Sequence, residues 1–512
     1  MLKSEAAIST KNAITVNSAS SGDSLTPQQH QNEPLSPQIL DAYREIAKRN
    51  AIDDFELSLQ PIGGPGENSY GSVHKVLLTP KRALPTLTTL RPLHTILKIA
   101  PKSPARRAHM RVKDVYAREV FMYATVFSEF AALDATHDAA HCAHFSVAPQ
   151  MLFASLEDSA EFIIFEDLSN AGFTINSRTN LPTYDLVVCA FRAIAQLHAM
   201  SFVLQARQPQ RFAALVAQMD DNLFTLDMEV VSLEFGKKYV RRTRHMLEAD
   251  LKESGEHTPQ MEEVLQALQK IETNFHEICL DAVNGVAYAP YSVICHGDFW
   301  NNNILYEFDS TNQHVATKAK LIDFQISRYS PPILDLVHYL YACTEKPLRD
   351  AHFHEFMQIY YDTVTQFIRD YQLDPTILYP ETIFRQQLRQ FGAYGFCMSA
   401  FSVPFFVSNA SELPDLDKVS EAVQELSSSS DSSDTDERNN EVGVEQQSGR
   451  SQQKSNKNDN NNAISPKSQS AAELVDEYDI LTERTVPIFK KRMIGSVLDL
   501  QKYEMIEALL KY

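Results

Sequence analysis

The pattern of apolar and polar positions changes character twice along the 512-residue chain. Residues 1 to about 35 are rich in Ser, Thr, Asn and Gln and show no periodicity, which predicts a disordered tail. "SPQILDAYREIAKRN" then predicts a first helix, with Ser36 as cap and Pro37 in the first turn. From Phe55 to about Phe165 the apolar runs are short, and "SVHKVLLT", "HTILKIA" and "EFIIFEDL" read as strands. Between the last two, "DVYAREVFMYATVFSEF" repeats Val115, Val120, Tyr123 and Phe127 at helical spacing. Beyond Asn170 helices dominate. "TYDLVVCAFRAIAQLHAMS" places Leu186, Val187, Ala190, Phe191, Ile194 and Leu197 on one side, and further helical patterns cover 212–282, 333–345, 351–371 and 381–401. Two strand-like runs, "NILYEF" and "AKLIDFQ", interrupt them and form a hairpin around "DSTNQ".

The expected architecture is α+β: a small antiparallel-sheet lobe over 36–168 and a larger helical lobe over 169–410. A Ser/Asp/Glu- then Gln/Asn/Lys-rich stretch over 411–470 predicts a disordered insertion. Helical periodicity returns over 471–512, which should pack back on the large lobe. No internal repeat is present.

Composition adds mainly exclusions. The formal charge of −19 is uneven: residues 411–440 hold nine Asp/Glu against two Lys/Arg, or −7. Such a balance argues against nucleic acid as a partner. Six scattered cysteines without a CxxC pair read as reduced, buried thiols. The opening "MLKSEAAIST" lacks the apolar core of a signal peptide. The longest greasy stretch is expected near "YGFCMSAFSVPFFV", which is too short to span a bilayer and contains Pro404. A cytoplasmic protein with no membrane association and no obligate protein partner is the expectation.

The chemistry concentrates in "CHGDFWNNNILY". Three consecutive asparagines form neither helix nor strand readily, so a polar loop is expected between two apolar runs. Asp298 and Asn303 lie five apart on it, and Asp323 follows one hairpin later. Alone, an Asp-x4-Asn pair would merely cap a turn. His296-Gly297 before it and "LIDFQ" at a hairpin's distance favour a phosphoryl-transfer site instead, with Asp298 as base and Asn303 and Asp323 as Mg²⁺ ligands. Lys98 is a lone cation in the apolar run "TILKIA"; Glu119 would pair with it while Lys98 reaches nucleotide phosphates, or Lys98 sits on the wet face of an edge strand. "GGPGENSYGSV" fits no strict phosphate-loop pattern and reads either as a tight hairpin or as a turn offering N–H groups of Asn68, Ser69 and Tyr70 to phosphates. "FEDL" (Glu166 to Leu168) falls where the lobes join, as an adenine-binding backbone or an ordinary linker. "HDAAHCAH" (His137, His141, Cys142, His144) has metal-like spacing, with a plain loop or helix surface the favoured reading. "SSSSDSSDTDE" would accept phosphate groups or serve as a solvated spacer.

Taken together, "CHGDFWNNNILY", "KLIDFQISRYSPPILDL", "FEDLSNAGF" and "ENSYGSV" resemble the insect ecdysteroid kinase-like (CHK kinase-like) family, over roughly residues 50–410 plus the terminal helices. That resemblance implies a protein-kinase-like two-lobe fold related to choline/ethanolamine kinases and aminoglycoside phosphotransferases. It implies ATP and Mg²⁺ as cofactors and a small-molecule alcohol as substrate, with ecdysteroids or xenobiotic alcohols as leading candidates. Carried across, Asp298 is the catalytic Asp, Asn303 and Asp323 the magnesium ligands, and Lys98 and Glu119 the ATP-orienting pair. His296 and Asp335, the latter in "PPILDL", are implied to support the catalytic loop. Gln325 stands where protein kinases carry Gly, and Gly297 where they carry Arg, which disfavours a protein substrate. Choline kinases usually have Asn at the Gly297 position, which disfavours choline. An inactive pseudokinase that binds a hydrophobic ligand or partner is the alternative, and the intact set of Lys98, Asp298, Asn303 and Asp323 speaks against it.

Overall fold

A computed structural model describes residues 15–18, 35–63, 69–81, 91–135, 145–221, 223–226, 228–312, 315–437 and 470–512, with side chains described except at 15–18 and 429–437. The small lobe contains strand β1 (Thr15–Ser18), helix α1 (Pro37–Arg49), strands β2 (Phe55–Ile62), β3 (Ser72–Pro80) and β4 (Leu93–Ile99), helices α2 (Pro104–His109), α3 (Val112–Phe121) and α4 (Phe127–Asp134), and strands β5 (Met151–Ser155) and β6 (Phe162–Glu166). Strands run in the order β1-β2-β3-β4-β6-β5. All pairs are antiparallel except β1 with β2, which is parallel. Ser36 caps α1 by accepting the Ile39 N–H, and Ile39, Tyr43 and Ile46 bury one face of the helix against the sheet. A π turn, Met122–Val126, joins α3 to α4.

β7 (Phe173–Ile175) opens the large lobe and joins the hairpin of β9 (Ile304–Phe308) and β10 (Ala316–Leu321) as a third strand, while β8 (Val293–Cys295) pairs with β11 (Arg328–Ser330). Its helices are α5 (Tyr184–Arg207), α6 (Pro209–Val216), α7 (Val230–Ser254), α8 (Pro259–Thr273), α9 (Phe275–Val283), α10 (Ile333–Cys343), α11 (Lys346–Asp370), α12 (Pro375–Leu378) and α13 (Glu381–Phe406). They are followed by α14 (Leu416–Glu437), α15 (Ala471–Glu477) and α16 (Val486–Lys502). α5 is apolar on nearly every side because it threads the centre of this lobe, with Val187, Phe191, Ile194 and Leu197 fully buried. Each such side chain contributes about 1.5–3 kcal/mol. α5, rather than the stretch around Pro404, is the described helix long and apolar enough on its own to cross a membrane; 89% of its apolar window is buried in the protein. α16 is bolted down by a wholly buried ion pair, Arg349 Nε to Asp499 Oδ2 at 2.5 Å, and Arg349 also donates to the Thr344 carbonyl. Removing one partner of such a pair costs about 3–5 kcal/mol.

Two segments differ from the expectation of disorder. β1 lies inside the N-terminal tail, where "TVNS" adds to the open edge of β2. α14 occupies the first part of the acidic insertion. Beneath its Ser/Asp/Glu composition, Leu416, Val419, Val423 and Leu426 recur at helical spacing, and Val423 is buried. The histidine-rich cluster at 137–144 lies outside the described residues.

Candidate active site

β4 is a central strand, so alternate residues face opposite sides of the sheet: Leu97 enters the α1-side core and Lys98 turns into the cleft. Lys98 is 9% exposed, which removes the edge-strand reading. Its ammonium donates to Glu119 Oε2 at 2.7 Å, Asp323 Oδ1 at 2.5 Å and Gln325 Oε1 at 3.2 Å. Burial alone would lower the Lys98 pKa, but Asp323 and Glu119 raise it well above its ordinary value, so it stays charged. Glu119 is pushed up, first by burial and further by Asp323, against the opposing pull of Lys98. α3, which carries Glu119, is pinned to the large lobe by Arg118, which donates to the Ser327 and Asp220 carbonyls at 2.9 and 2.8 Å.

The loop after β8 is held from beneath. Asp335, at the start of α10, accepts the N–H groups of His296 (2.8 Å) and Gly297 (3.0 Å) and the His198 imidazole (3.1 Å). Burial would raise the Asp335 carboxyl, but these donors, His198 foremost, hold it below the usual range. His198 in turn meets the Tyr360 hydroxyl at 2.8 Å. Gly297 sits at φ +85°, and a Cβ there would lie 2.0 Å from the Ile326 carbonyl, so the turn admits only glycine. Burial lowers the His296 pKa and keeps the ring neutral. Its Nε2 contacts the Ile322 carbonyl at 2.9 Å and its Nδ1 the Asp298 N–H at 3.3 Å, which assigns the proton to Nε2. Ile322 N–H also donates to the Asn303 carbonyl at 3.0 Å. One backbone position therefore ties the loop to Asp323, the next residue, which adopts φ +68°.

The three asparagines now have separate tasks. Asn301 Nδ2 donates to the Asn180 carbonyl and its Oδ1 accepts from Tyr339. Asn303 Nδ2 donates at 2.9 Å to both the Asp298 carbonyl and Asp298 Oδ2. Asn302 keeps a buried Oδ1 without a hydrogen bond among the described residues. Trp300 Nε1 also reaches Asp298 Oδ2, at 3.3 Å, while its ring stacks on Phe406 at 3.9 Å and 7°. Asp298 is pushed up to about 7, first by burial and then by the Asp323 charge, against Asn303 and Trp300.

The other expected site residues are placed as follows. Ser69 and Tyr70 precede β3, and Gly71 follows at φ +135° with its Cβ position 1.9 Å from the Ile99 carbonyl, so this turn runs hard across the end of β4. The Tyr70 carbonyl accepts from Tyr116, and the Tyr70 phenol is raised by burial and then by Asp298 and Asp323, which places it at the same cleft. Asn68 lies outside the described residues. Glu166 ends β6, with its side chain accepting the Gln150 N–H, and Leu168 begins a 3₁₀ turn. Sequence reasoning missed His198, Tyr360 and the contact of Gln325 with Lys98. His198 left one trace, a histidine that, with Ser201, interrupts the apolar burial of α5.

Sheet lobe, helical lobe and a cleft in which Lys98 joins Glu119 and Asp323 beside a braced Asp-x4-Asn loop make up a protein-kinase-like two-lobe fold. The chain belongs to the ecdysteroid kinase-like family, whose model matches residues 65–373. Among solved structures it is similar to spectinomycin phosphotransferase in complex with ADP and spectinomycin, at 12% identity over 77% of this chain and 99% of that one, TM-score 0.30. It is similar also to the AMP-bound complex of the same enzyme, at 12% identity over 76% and 99%, TM-score 0.28. No curated protein matches the chain.

Proposed function

We propose that the protein is an ATP- and Mg²⁺-dependent kinase that transfers the γ-phosphate to a hydroxyl of a small-molecule alcohol, an ecdysteroid or xenobiotic alcohol being the leading class. The observation that carries this reading is Lys98 Nζ held between Glu119 and Asp323 at 2.7 and 2.5 Å, across the cleft from Asp298. Two carboxylates bond Lys98, and the Asp298 carboxyl feels the Asp323 charge, an excess of negative charge that suits a divalent cation. The donor set fits Mg²⁺: Asp323 keeps its Oδ2, and Asn303, whose amide nitrogen is used by Asp298, keeps its Oδ1. A bound Mg²⁺ would neutralise charge on the phosphates and on the leaving diphosphate.

The chain's own residues do the rest. Lys98 orients the phosphates and Glu119 orients Lys98. Both hydrogen bonds to the Asp298 carboxylate fall on Oδ2, leaving Oδ1 to take the acceptor hydroxyl proton. As the substrate oxygen–phosphorus bond forms, the bond from the γ-phosphorus to the bridging oxygen breaks and ADP departs. Beside the base the Trp300 ring stacks on Phe406, an aromatic surface that supports a bulky apolar acceptor over a polar one. The test is mass spectrometry of a metabolite extract incubated with enzyme and Mg·ATP, with a steroid, choline and an aminoglycoside as separate defined acceptors. An alcohol gaining one phosphate, absent with Asp298→Asn, is expected; ATP left intact with every acceptor would overturn the reading.

A further inference from the structure

Helix α2 stands next to the turn that carries Ser69 and Tyr70. Arg106 from this helix donates Nε and an Nη to a single acceptor, the Ser69 carbonyl, at 3.0 and 2.6 Å. Its remaining Nη lies 3.5 Å from Asp417 Oδ1, and Asp417 belongs to α14. α14 packs along α2, with Ser420 and Val423 buried. The start of α14 is fixed to the large lobe, because Glu412, in the 3₁₀ turn just before it, accepts from Arg484 Nε at 3.1 Å and Thr482 at 2.9 Å. The far end of α2 meets the large lobe separately, His109 Nδ1 lying 2.7 Å from Glu229 Oε2 just before α7. The helix that grips the Gly-rich turn is therefore held from both ends by the opposite lobe.

We infer that Arg106 is a positioning residue for the nucleotide turn, and that the first half of the acidic insertion is the strap that keeps Arg106 in place. A bidentate guanidinium grip on one carbonyl fixes the direction of the peptide that follows it, and so the path of Tyr70 into the cleft. The nucleotide consequence rests on the kinase reading above. The geometric claim does not.

The experiment begins with amide hydrogen exchange at Tyr70–Val73 in the full-length protein without nucleotide. Asp417→Asn should speed exchange there about threefold, the size of a half-exposed ion pair. Arg106→Ala should speed it roughly tenfold. The double variant should match Arg106→Ala alone, and Asp417→Glu should behave as wild type. In the same variants KM for Mg·ATP should rise by similar factors, with kcat within about twofold. An Asp417→Asn protein whose turn exchanges as in wild type would overturn the proposal, as would strictly additive effects of the two substitutions. Exchange changing as expected in a protein that binds no nucleotide would leave the strap standing and remove the kinase reading.

Discussion

The loop from His296 to Asn303 has two faces, each with a carboxylate, and they are treated in opposite ways. Beneath it, Asp335 collects three N–H donors and is held below its ordinary pKa. In the cleft, Asp298 has two side-chain donors, Asn303 and Trp300, and the more distant Arg328 charge to compensate it, faces the Asp323 charge and is pushed up to about 7. Burial alone would raise both, so the difference lies in donors and neighbouring charges. The underside is electrostatically complete and serves as scaffold. The cleft keeps a charge imbalance that costs stability, and the proposed cation and acceptor proton would relieve it.

Substitutions at the two carboxylates should separate those roles. The largest effect belongs to Asp298→Asn, which should cut turnover by ~10²–10⁴-fold while nucleotide affinity and thermal melting stay at or above wild type. Steady-state kinetics beside a melting curve checks both halves. Asp335→Ala should do the reverse, destabilising the fold by roughly 3–5 kcal/mol in urea unfolding, because His198 and two loop N–H groups lose their acceptor inside the protein. Gly297→Ala lies between them: a left-handed backbone and a clash with the Ile326 carbonyl should cost about 1–3 kcal/mol, with activity falling in step.

The smallest effect is a pH slope of opposite sign on the two faces. Asp335 has a depressed folded pKa, so its contribution is present above the unfolded Asp value and lost as acid titrates through the lower folded one. Asp298 has a raised folded pKa, near 7 against 3.8, so the folded state binds the extra proton between those values and stability falls as pH climbs from about 4 to 7. In chelator-treated protein, Asp298→Asn should flatten that slope, as followed by unfolding at several pH values. An unchanged slope would mean that the cleft carries no such imbalance.

What the sequence made legible was local. Asp298 and Asn303 lie on the loop that leads into one hairpin and Asp323 just after it, so their spacing suggested a shared centre, while Lys98, a lone cation in an apolar strand, joined it through the family resemblance. Of the brace, Asp335 was expected through the family resemblance; His198 and Tyr360 were not, because they come from two other helices and meet Asp335 only through packing. α14 was hidden for another reason: its apolar stripe is four residues long and runs under a Ser/Asp/Glu surface that dominates composition. β1 was hidden likewise, since four residues of "TVNS" owe their strand to the free edge of β2 rather than to their own pattern. Long periodic elements are visible in a sequence; elements made by their neighbours are not.

The central claim is that Lys98, Asn303 and Asp323 form one seat for a magnesium nucleotide. Calorimetric titration of the wild-type protein with ATP, with and without Mg²⁺ and again in Asp323→Ala, tests it most directly. The account predicts saturable binding that weakens more than about tenfold when either the metal or Asp323 is removed, without a further loss when both are. Binding that is equally tight in all four titrations, or absent from the first, would contradict it.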